Sequence, residues 1–336
     1  MILIDTVFIV DGGGKILLEY LVSLLDFKTN KFVFLLDFRM KSYNLLDGKE
    51  VEIHYAKNLR ERNKFYLENQ KKFKKVFCLG NIPPPIKISG TFINYLHSSY
   101  YVSKIDKSDF RHYIITNLKK LYFNFVIKNV DLWIVQTKSM QRNLSKSKNV
   151  DNSKIKILPF YKELNSNKET AEPEKNTFLY VSDGGPRKNH KRLLDAFCKF
   201  YDDYKIGKLL LTISDSYPNV KELIEEKTKL GYPITNCGFV DRDELKKIYL
   251  KSSFAIYPSL TESFGLGLVE ACECNCKILA ANLDYVFDVC EPSHVFNPYK
   301  TKEIYKSFQL AVSENLPNSK LLIKSRINDL LKLIEN

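Results

Sequence analysis

The sequence lacks any apolar run that approaches the roughly 18 residues of a membrane-spanning helix. Its first residues, Met-Ile-Leu-Ile-Asp-Thr-Val-Phe-Ile-Val, also lack the basic start and the cleavage pattern of a signal peptide. These absences disfavour an integral membrane protein and a secreted protein. We expect a protein that folds in the cytoplasm, and the inner face of the cytoplasmic membrane stays open as its place of work.

A disulfide framework is absent as well. The seven cysteines are an odd number and are scattered, apart from Cys272-Glu-Cys-Asn-Cys276, which fits a reducing compartment. This C-x-C-x-C run could be interpreted as metal-binding, but no second ligand pair stands at a finger-like spacing, and the run ends a predicted helix and enters a strand. We therefore expect structural thiols and no metal site.

Arginine is scarce for a basic protein. The formal net charge is +13, yet only nine of the 52 basic residues are Arg, and the lysines are dispersed along the chain. Lys, Asn, Ile, Phe and Tyr are all abundant, which indicates compositional bias more than selected phosphate readers. We expect no nucleic-acid partner, and attraction to an anionic membrane surface is the better use of the charge.

The dinucleotide-binding fingerprint is incomplete. Residues 2–10 predict a buried strand, Asp11-Gly-Gly-Gly-Lys15 a turn, and Ile16 to Leu25 a helix. With Gly12 and Gly14 in place, the G-x-G-x-x-G pattern would need glycine at 17, where the chain has Leu17. Strand, glycine turn and helix still form the phosphate-facing entry of a doubly wound domain, although a merely tight turn stays open.

A more informative stretch runs from Phe254 to Ala271. It predicts a short strand stopped by Pro258 and a helix that begins near Ser263, whose first N–H groups could bind an anion such as phosphate. Glu270 leans back toward that helix start. Together with Glu262 it indicates a ligand with phosphate at one end and hydroxyls around it, which is a nucleotide-sugar. The alternative is that Glu262 only caps the helix and Glu270 is an exposed helical residue.

The surrounding phrases carry a resemblance to a known family. The E-x7-E pair in YPSLTESFGLGLVEA, with NCGFVDRDELKKIYLKSS before it and ILAANLDYVFDVCEPSHVFNP after it, resembles the C-terminal half of retaining GT-B-fold glycosyltransferases, of the family 4-like (group 1) type found in bacterial surface-polysaccharide synthesis. The resemblance runs from about Thr177 to Pro298. A weaker resemblance covers the N-terminal half.

The resemblance implies an α/β fold of the GT-B type, with two Rossmann-like doubly wound domains facing a central cleft. A chain of 336 residues also favours two domains by size alone. We expect an N-terminal acceptor-side domain over 1–160, a polar linker over 161–176, and a nucleotide-sugar-binding domain over 177–310. Residues 311–336 are expected to pack back on the first domain as a helix.

The resemblance also implies roles for particular residues. In the phrase ending Pro-Arg187-Lys188-Asn, both basic side chains would neutralise the donor diphosphate, although Ser182 and Asp183 stand where many members have a Gly-Arg pair. His97, at the end of an apolar strand, would contact the donor sugar or the acceptor, unless it is only a structural residue. Glu262 would orient the transferred sugar and Glu270 would hold the ribose. The donor is also expected to contact Gly12, Gly13, Gly14, Ser263, Phe264, Gly265 and Leu266.

We therefore predict a retaining glycosyltransferase that moves a hexose-type sugar from a nucleoside diphosphate, UDP or GDP being favoured, to an acceptor hydroxyl. The acceptor would be a glycan or a lipid-linked glycan in surface polysaccharide or lipopolysaccharide biosynthesis. No cofactor is implied beyond this donor substrate. Two alternatives stay open: a nucleotide-sugar epimerase of the same fold, and a non-catalytic basic protein that binds RNA or membranes.

Overall fold

The computed structural model describes residues 1–102, 110–164 and 167–336. The chain divides into two compact units, Met1–Lys162 with Lys324–Asn336, and Glu163–Ile323. None of the helices in these three ranges has the length and hydropathy of a membrane-spanning segment.

The strands and helices follow the apolar runs of the sequence. The strands are β1 (Ile2–Asp5), β2 (Phe32–Asp37), β3 (Glu52–Ala56), β4 (Lys75–Cys78), β5 (Thr91–Leu96), β6 (Leu132–Val135), β7 (Ile155–Ile157), β8 (Glu174–Tyr180), β9 (Lys208–Leu211), β10 (Ile234–Asn236), β11 (Ser252–Tyr257), β12 (Lys277–Ala281), β13 (Cys290–Glu291), β14 (His294–Phe296) and β15 (Lys320–Leu321). The helices are α1 (Gly12–Leu24), α2 (Leu59–Asn69), α3 (Phe110–Val126), α4 (Lys138–Lys148), α5 (His190–Tyr204), α6 (Pro218–Lys229), α7 (Arg242–Lys251), α8 (Leu266–Glu273), α9 (Asp284–Val289), α10 (Thr301–Ser313) and α11 (Ile327–Glu335).

Within the part of the chain that the structure describes, the first unit holds a seven-stranded parallel sheet in the order β3-β2-β1-β4-β5-β6-β7. Both faces are covered at its centre, where β1 and β2 are buried at every residue. Ile2 and Ile4 of β1 face a core shared with α1, whereas Leu3 faces a second core shared with α2, α3 and α4. The sheet is therefore the middle layer of a doubly wound domain.

The C-terminal helix α11 belongs to the first unit. Ile327, Leu330 and Ile334 lie in the core that α1 shares with the sheet. The backbone N–H of Arg326 donates to Pro159 O at 2.7 Å, and Lys75 Nζ donates to Leu333 O at 2.8 Å. The amphipathic spacing of these apolar residues is what lets a terminal helix cover this face.

The second unit is also built on a parallel sheet. Its described residues form a six-stranded parallel sheet in the order β10-β9-β8-β11-β12-β14, with the small antiparallel pair β13-β15 beside it. Two parallel-sheet Rossmann-like units, with the final helix returned to the first, confirm the predicted fold class.

Three boundaries differ from the prediction. Residues 311–323 stay in the second unit, because Leu321 of β15 pairs with Cys290 of β13. The predicted linker 161–176 is too long, since β8 begins at Glu174, which pairs with Ser252 despite its polar side chain; residues 165 and 166 lie outside the described part. The segment 311–336, predicted as a helix, is interrupted, since α10 ends at Ser313 and α11 begins at Ile327.

The glycine turn is also different from the prediction. Helix α1 begins at Gly12, so Gly12, Gly13 and Gly14 form its first turn and not a separate loop. Gly12 has φ +57, in the left-handed region that glycine tolerates, and a Cβ at Gly12 or Gly13 would meet no atom within 4 Å. The start of α1 is therefore bare backbone.

Candidate functional site

The strand order of the second unit locates its candidate site. Successive strands β8, β9 and β10 extend the sheet in one direction, and β11, β12 and β14 extend it in the other. In open parallel sheets, ligands bind outside the carboxyl ends of the strands where the order reverses. This point lies between β8 and β11, so the loops after Tyr180 and after Tyr257 are the ones that can form a site.

These two loops are fastened to each other by hydrogen bonds. The buried Tyr180 hydroxyl donates to Lys188 O at 3.0 Å and lies 2.7 Å from Ser259 Oγ. The backbone N–H of Leu260 donates to Arg187 O at 2.8 Å. Asn189, in the left-handed conformation with φ +64, donates from Nδ2 to Pro258 O at 3.1 Å. The loop that holds the basic residues is thus fixed against the loop that holds Glu262.

Lys188, Arg187 and Glu262 meet at this point. Lys188 Nζ donates to Glu262 Oε1 at 2.6 Å, and Arg187 Nη1 lies 3.8 Å from Glu262 Oε2. Lys188 and Glu262 each expose 11% of their side chains, whereas Arg187 is more exposed. Sequence reasoning selected all three, and the fold brings them together as a small, half-buried charged cluster.

Asp183 joins this cluster. Its Oδ2 lies 3.5 Å from Arg187 Nη2 and 3.9 Å from Lys188 Nζ, and its Oδ1 accepts a hydrogen bond from Gly185 N at 2.8 Å. At the sequence level this position was only a departure from the family phrase. In the structure it is a carboxylate that faces both predicted phosphate-binding cations.

Helix α8 does not begin near Ser263, as predicted, but at Leu266. Gly265 stands before it with φ +84, a conformation that other residues adopt at a cost, and it ends the loop that contains Ser263 and Phe264. Phe264 is buried. The backbone of Gly265 and Leu266 thus forms the actual helix start, and binding of phosphate by Ser263 to Leu266 stays a prediction.

Glu270 is a buried carboxylate in α8, not an exposed helical residue. It is 4% exposed, and its Oε1 lies 3.4 Å from Nη1 of Arg242 at the start of α7. Burial raises the pKa of Glu270 to about 7, against the lowering effect of the Arg242 guanidinium. A buried carboxylate with a raised pKa makes Glu270 a candidate functional residue.

The cysteine run lies where the sequence indicated, at the end of α8 and before β12. All seven cysteines are free thiols. Among the residues that the structure describes, no group of three or more His, Cys, Asp or Glu side chains is arranged as metal ligands.

The first unit has its own reversal of strand order, between β1 and β4. Here the structure brings His97 and Gly14 together, since a Cβ at Gly14 would lie 3.2 Å from Cε1 of His97. His97 Nε2 lies 2.9 Å from Leu79 O, and burial of the ring lowers its pKa to about 4. The imidazole is therefore neutral near pH 7, and the absence of a side chain at Gly14 leaves room beside it.

Asn81 positions His97. The sequence analysis did not select Asn81. Its Oδ1 accepts hydrogen bonds from the backbone N–H groups of His97 at 2.9 Å and of Ser98 at 3.0 Å, and its Nδ2 lies 3.0 Å from His97 Nε2. Asn81 itself has φ +66. The only signal in the sequence was its place in the turn Gly80-Asn-Ile-Pro, which marks a loop but not a contact with residue 97.

Arg62 and Arg242 were missed for a similar reason. Arg62 of α2 is fully buried and donates from Nε to Asp5 Oδ2 at 2.8 Å and from Nη2 to Ile82 O at 2.7 Å, so it holds the loop that carries Asn81. Arg242 faces Glu270 from another helix. Neither residue stands at a motif spacing from its partner.

Comparisons with known proteins agree with this geometry. Residues 161–322 match the family described as glycosyl transferases group 1. The O-antigen chain mannosyltransferase RfbU of Salmonella typhimurium is 24% identical over 209 residues, which are 60% of this chain and 57% of that protein. The match thus spans little more than half of that relative's length.

Solved structures show the same fold. The Anabaena HepE structure in complex with UDP and glucose has a TM-score of 0.68 at 15% identity and covers 93% of this chain and 89% of its own. WaaG, a glycosyltransferase involved in lipopolysaccharide biosynthesis, has a TM-score of 0.66 at 13% identity and covers 94% and 91%. The GT-B fold prediction is confirmed, and the family match covers nearly all of the second unit, Glu163–Ile323.

Proposed function

We propose that this chain, whose second unit matches the group 1 glycosyl transferase family, transfers a hexose-type sugar from a nucleoside diphosphate to an acceptor hydroxyl. The observation that carries the proposal is the meeting of Lys188, Arg187 and Glu262 at the strand-order reversal of the second unit. The names of the relatives support a glycan acceptor in surface polysaccharide or lipopolysaccharide synthesis, and the complex of HepE with UDP and glucose supports a sugar-nucleotide donor.

The cations would bind the donor diphosphate. A lysine ammonium has three donors, and the geometry gives one of them to Glu262. The others can reach phosphate oxygens, with Arg187 as a second, more exposed cation. The positive end of the α8 helix dipole would add partial positive charge. The site is then most favourable for the leaving diphosphate, which gains negative charge as the sugar departs.

The carboxylates would hold the sugars. Glu262, kept in place by Lys188, can accept hydrogen bonds from hydroxyls of the transferred hexose. Glu270, kept in place by Arg242, can accept them from the ribose. Hydroxyl groups need such acceptors, whereas a phosphate would be repelled by them, so the two carboxylates fit the neutral parts of the donor.

The reaction would proceed with retention, without an enzymic nucleophile. The bond between the anomeric carbon and the phosphate oxygen breaks ahead of attack, and the electron pair goes to the diphosphate. The acceptor hydroxyl then bonds to the anomeric carbon on the same face and passes its proton to the leaving phosphate oxygen. Charge stabilisation by Lys188 and Arg187 is the main contribution of the second unit.

In the first unit, His97 and the glycine start of α1 would contact sugar or acceptor. A neutral imidazole donates and accepts hydrogen bonds, which suits a hydroxyl, and Gly12, Gly13 and Gly14 allow close approach of a ligand to the backbone. We further propose that the protein works in the cytoplasm at the membrane face, where a lipid-linked acceptor would be available.

A melting-temperature scan tests the donor site. UDP, GDP, ADP and CMP and their common sugar conjugates would be added to wild type, to Glu270→Gln and to Glu303→Gln, a carboxylate in the first turn of α10. A ligand at 100 times its Kd adds about 2.7 kcal/mol, which moves the midpoint by a few degrees. We expect one nucleotide to stabilise wild type and the Glu303 variant and to lose most of its effect in the Glu270 variant.

The nature of the reaction needs a second measurement. With the stabilising donor and a suitable acceptor, the anomeric configuration of the product can be assigned by NMR. Inversion would contradict the retaining mechanism. A donor that is epimerised without transfer would favour the epimerase alternative, and the lack of any stabilising nucleotide would count against the proposed function as a whole.

A further inference from the structure

Two buried tyrosines of the second unit have no part in the proposed function. Tyr249 of α7 is 0% exposed, and Tyr257, at the end of β11, is 4% exposed. Their hydroxyl oxygens lie 2.7 Å apart. Burial raises the pKa of both hydroxyls well above the ordinary value, so each keeps its proton and stays a hydrogen-bond donor. We call these two residues the tyrosine pair.

The tyrosine pair packs against the first turn of α8. The Tyr249 hydroxyl donates to Gly267 O at 3.2 Å. A Cβ on Gly267 would lie 2.3 Å from the Tyr257 hydroxyl oxygen and 2.9 Å from its Cζ, so this position has no room for a side chain. Gly267 stands three residues before Glu270, on the same face of the helix. The pair therefore contacts the helix face that carries the Glu270 carboxylate.

Helix α7 brings two donors to that face. Arg242 and Tyr249 are seven residues apart, about two helical turns, so they lie on one side of α7. Arg242 Nη1 lies 3.4 Å from Glu270 Oε1, and a hydrogen bond from Tyr249 reaches the same carboxylate. Burial raises the pKa of Glu270 to about 7, and both α7 residues oppose that rise. The carboxylate is thus held between a guanidinium and a tyrosine hydroxyl.

The other groups around Glu270 show why its ionised form needs these donors. The titratable side chains that face it come from α7, α8 and β11, and they are Arg242, Tyr249, Tyr257, Glu273 and Cys274. Burial and the like charge of Glu273 raise the pKa of Glu270. A carboxylate that is removed from water loses its ordinary hydrogen-bond donors, and a fixed hydroxyl can replace one of them.

We propose that Tyr249 is a positioning residue for Glu270, which it holds ionised and oriented toward the ribose of the donor, with Tyr257 as its support. The single hydroxyl hydrogen of Tyr249 has Gly267 O and the Glu270 carboxylate within reach. In this arrangement Tyr257 donates its own hydrogen to the Tyr249 oxygen, which leaves the Tyr249 hydrogen for those two acceptors. The proposal deepens the proposed function and rests on it, because the ribose contact of Glu270 is itself proposed.

Nucleotide affinity as a function of pH gives the first test. We expect Tyr249→Phe to raise the pKa of Glu270 by roughly half a unit to one unit, because the ionised carboxylate loses a donor. Affinity for the stabilising nucleoside diphosphate, measured by titration calorimetry, should then fall about two- to fivefold at about pH 7. At about pH 8.5 the loss should be less than about twofold, since the carboxylate is mostly ionised in both proteins. A loss of equal size at the two pH values, or no loss, would overturn the proposal.

A double-mutant cycle tests the contact without any nucleotide. The melting temperatures of wild type, Tyr249→Phe, Glu270→Gln and the double variant are measured at about pH 5.5 and pH 8.5. At the higher pH, Tyr249→Phe should lower the midpoint by about two degrees more in wild type than in the Glu270→Gln background. At the lower pH, where Glu270 is protonated, the two decreases should agree. Agreement at both pH values would mean that Tyr249 does not bind the ionised carboxylate, and the proposal would be wrong.

The matched control removes a tyrosine hydroxyl that binds a different carboxylate. Tyr305 of α10 donates to Asp203 Oδ2 at 2.7 Å, so Tyr305→Phe deletes the same kind of contact elsewhere in the second unit. It should leave nucleotide affinity unchanged at both pH values.

The two experiments separate this inference from the proposed function. Coupling in the cycle without any nucleotide binding would support the contact between Tyr249 and Glu270 and contradict the donor site. Nucleotide binding without coupling would contradict the role of Tyr249 and leave the donor site in place.

Discussion

Each unit holds an ion pair near the carboxyl end of its central strand, and the two pairs are built differently. In the first unit, the side chains of Asp5 and Arg62 are both 0% exposed. Asp5 also accepts hydrogen bonds from the Tyr66 hydroxyl at 2.6 Å and from Val7 N at 3.1 Å. Arg62 also donates to Ile82 O and Pro83 O. The protein itself satisfies this pair on every side.

The pair in the second unit is open by comparison. Lys188 and Glu262 each expose 11% of their side chains, and their further ionic neighbours, Arg187 and Asp183, are more exposed. A fully enclosed pair holds the fold, since removal of one partner leaves a buried charge. A half-open pair can exchange part of its bonding for a ligand. The comparison therefore predicts a structural role for Asp5–Arg62 and fits the binding role proposed for Lys188–Glu262.

The largest expected effect is on the enclosed pair. Arg62→Met should destabilise the first unit by about 3–5 kcal/mol, because it leaves the Asp5 carboxylate buried without its cation. A calorimetric scan should show a midpoint lower by roughly ten degrees. The control is Arg60→Met, an exposed arginine on the same helix. If the two variants melt within about two degrees of each other, Asp5–Arg62 is not the structural pair inferred here.

Substitution in the open pair, Lys188–Glu262, should change nucleotide binding more than stability. Lys188→Met should weaken binding of the stabilising nucleoside diphosphate by about 1.5–3 kcal/mol, the usual range for a charged hydrogen bond, with a smaller change in melting temperature than Arg62→Met. Titration calorimetry measures this against Lys191→Met, an exposed lysine in α5. If Lys188→Met has a much lower melting temperature but an unchanged nucleotide affinity, the role of Lys188 is structural.

The pH dependence of nucleotide affinity gives a further test of the site in the second unit, through Glu270. Its pKa is raised to about 7, chiefly by burial, so the carboxylate that would accept ribose hydroxyls forms as the pH rises through about 7. Nucleotide affinity should therefore increase between about pH 6 and 8 more in wild type than in Glu270→Gln. The difference between the two removes the titration of the phosphate itself, and identical pH profiles would contradict the role of Glu270.

The same raised pKa has a consequence for stability. A carboxyl group with a folded pKa above its unfolded value of 4.5 binds its proton more tightly in the folded state. Its contribution to the free energy of unfolding is present below about pH 4.5 and is lost as the pH rises through about 7. Wild type should thus lose stability relative to Glu270→Gln over this interval, while it gains nucleotide affinity.

The sequence was sufficient for the features that depend on local pattern or on strand order. Apolar runs predicted the strands, and the carboxyl ends of parallel strands had to bring Lys188 and Glu262 to one edge of the sheet. It was insufficient where a contact depends on how a helix is rotated against its neighbours. Arg62 meets Asp5, and Arg242 meets Glu270, through packing that no spacing in the chain records.

The predicted start of α8 was wrong for another reason. The apolar positions that follow Ser263 placed the predicted helix start there. The left-handed Gly265, at φ +84, ends the loop later, and Leu266 is the first helical residue. A glycine conformation is set by the closure of the loop against the rest of the unit, so sequence preference alone could not place this boundary.

The smallest expected effect concerns Asp183, which would compete with the proposed diphosphate for the cations of the open pair. Its carboxylate lies 3.5 Å from Arg187 and 3.9 Å from Lys188, so it neutralises part of the charge available to a diphosphate. Asp183→Asn keeps an oxygen that can accept the Gly185 hydrogen bond but removes the charge. Nucleotide affinity should rise about two- to fivefold, since exposed ion pairs contribute little. As a control, Asp195→Asn, which replaces an exposed aspartate in α5, should leave nucleotide affinity unchanged. Weaker binding in Asp183→Asn would mean that this carboxylate holds the cations in place for the ligand, and the open pair would then depend on three charges and not two.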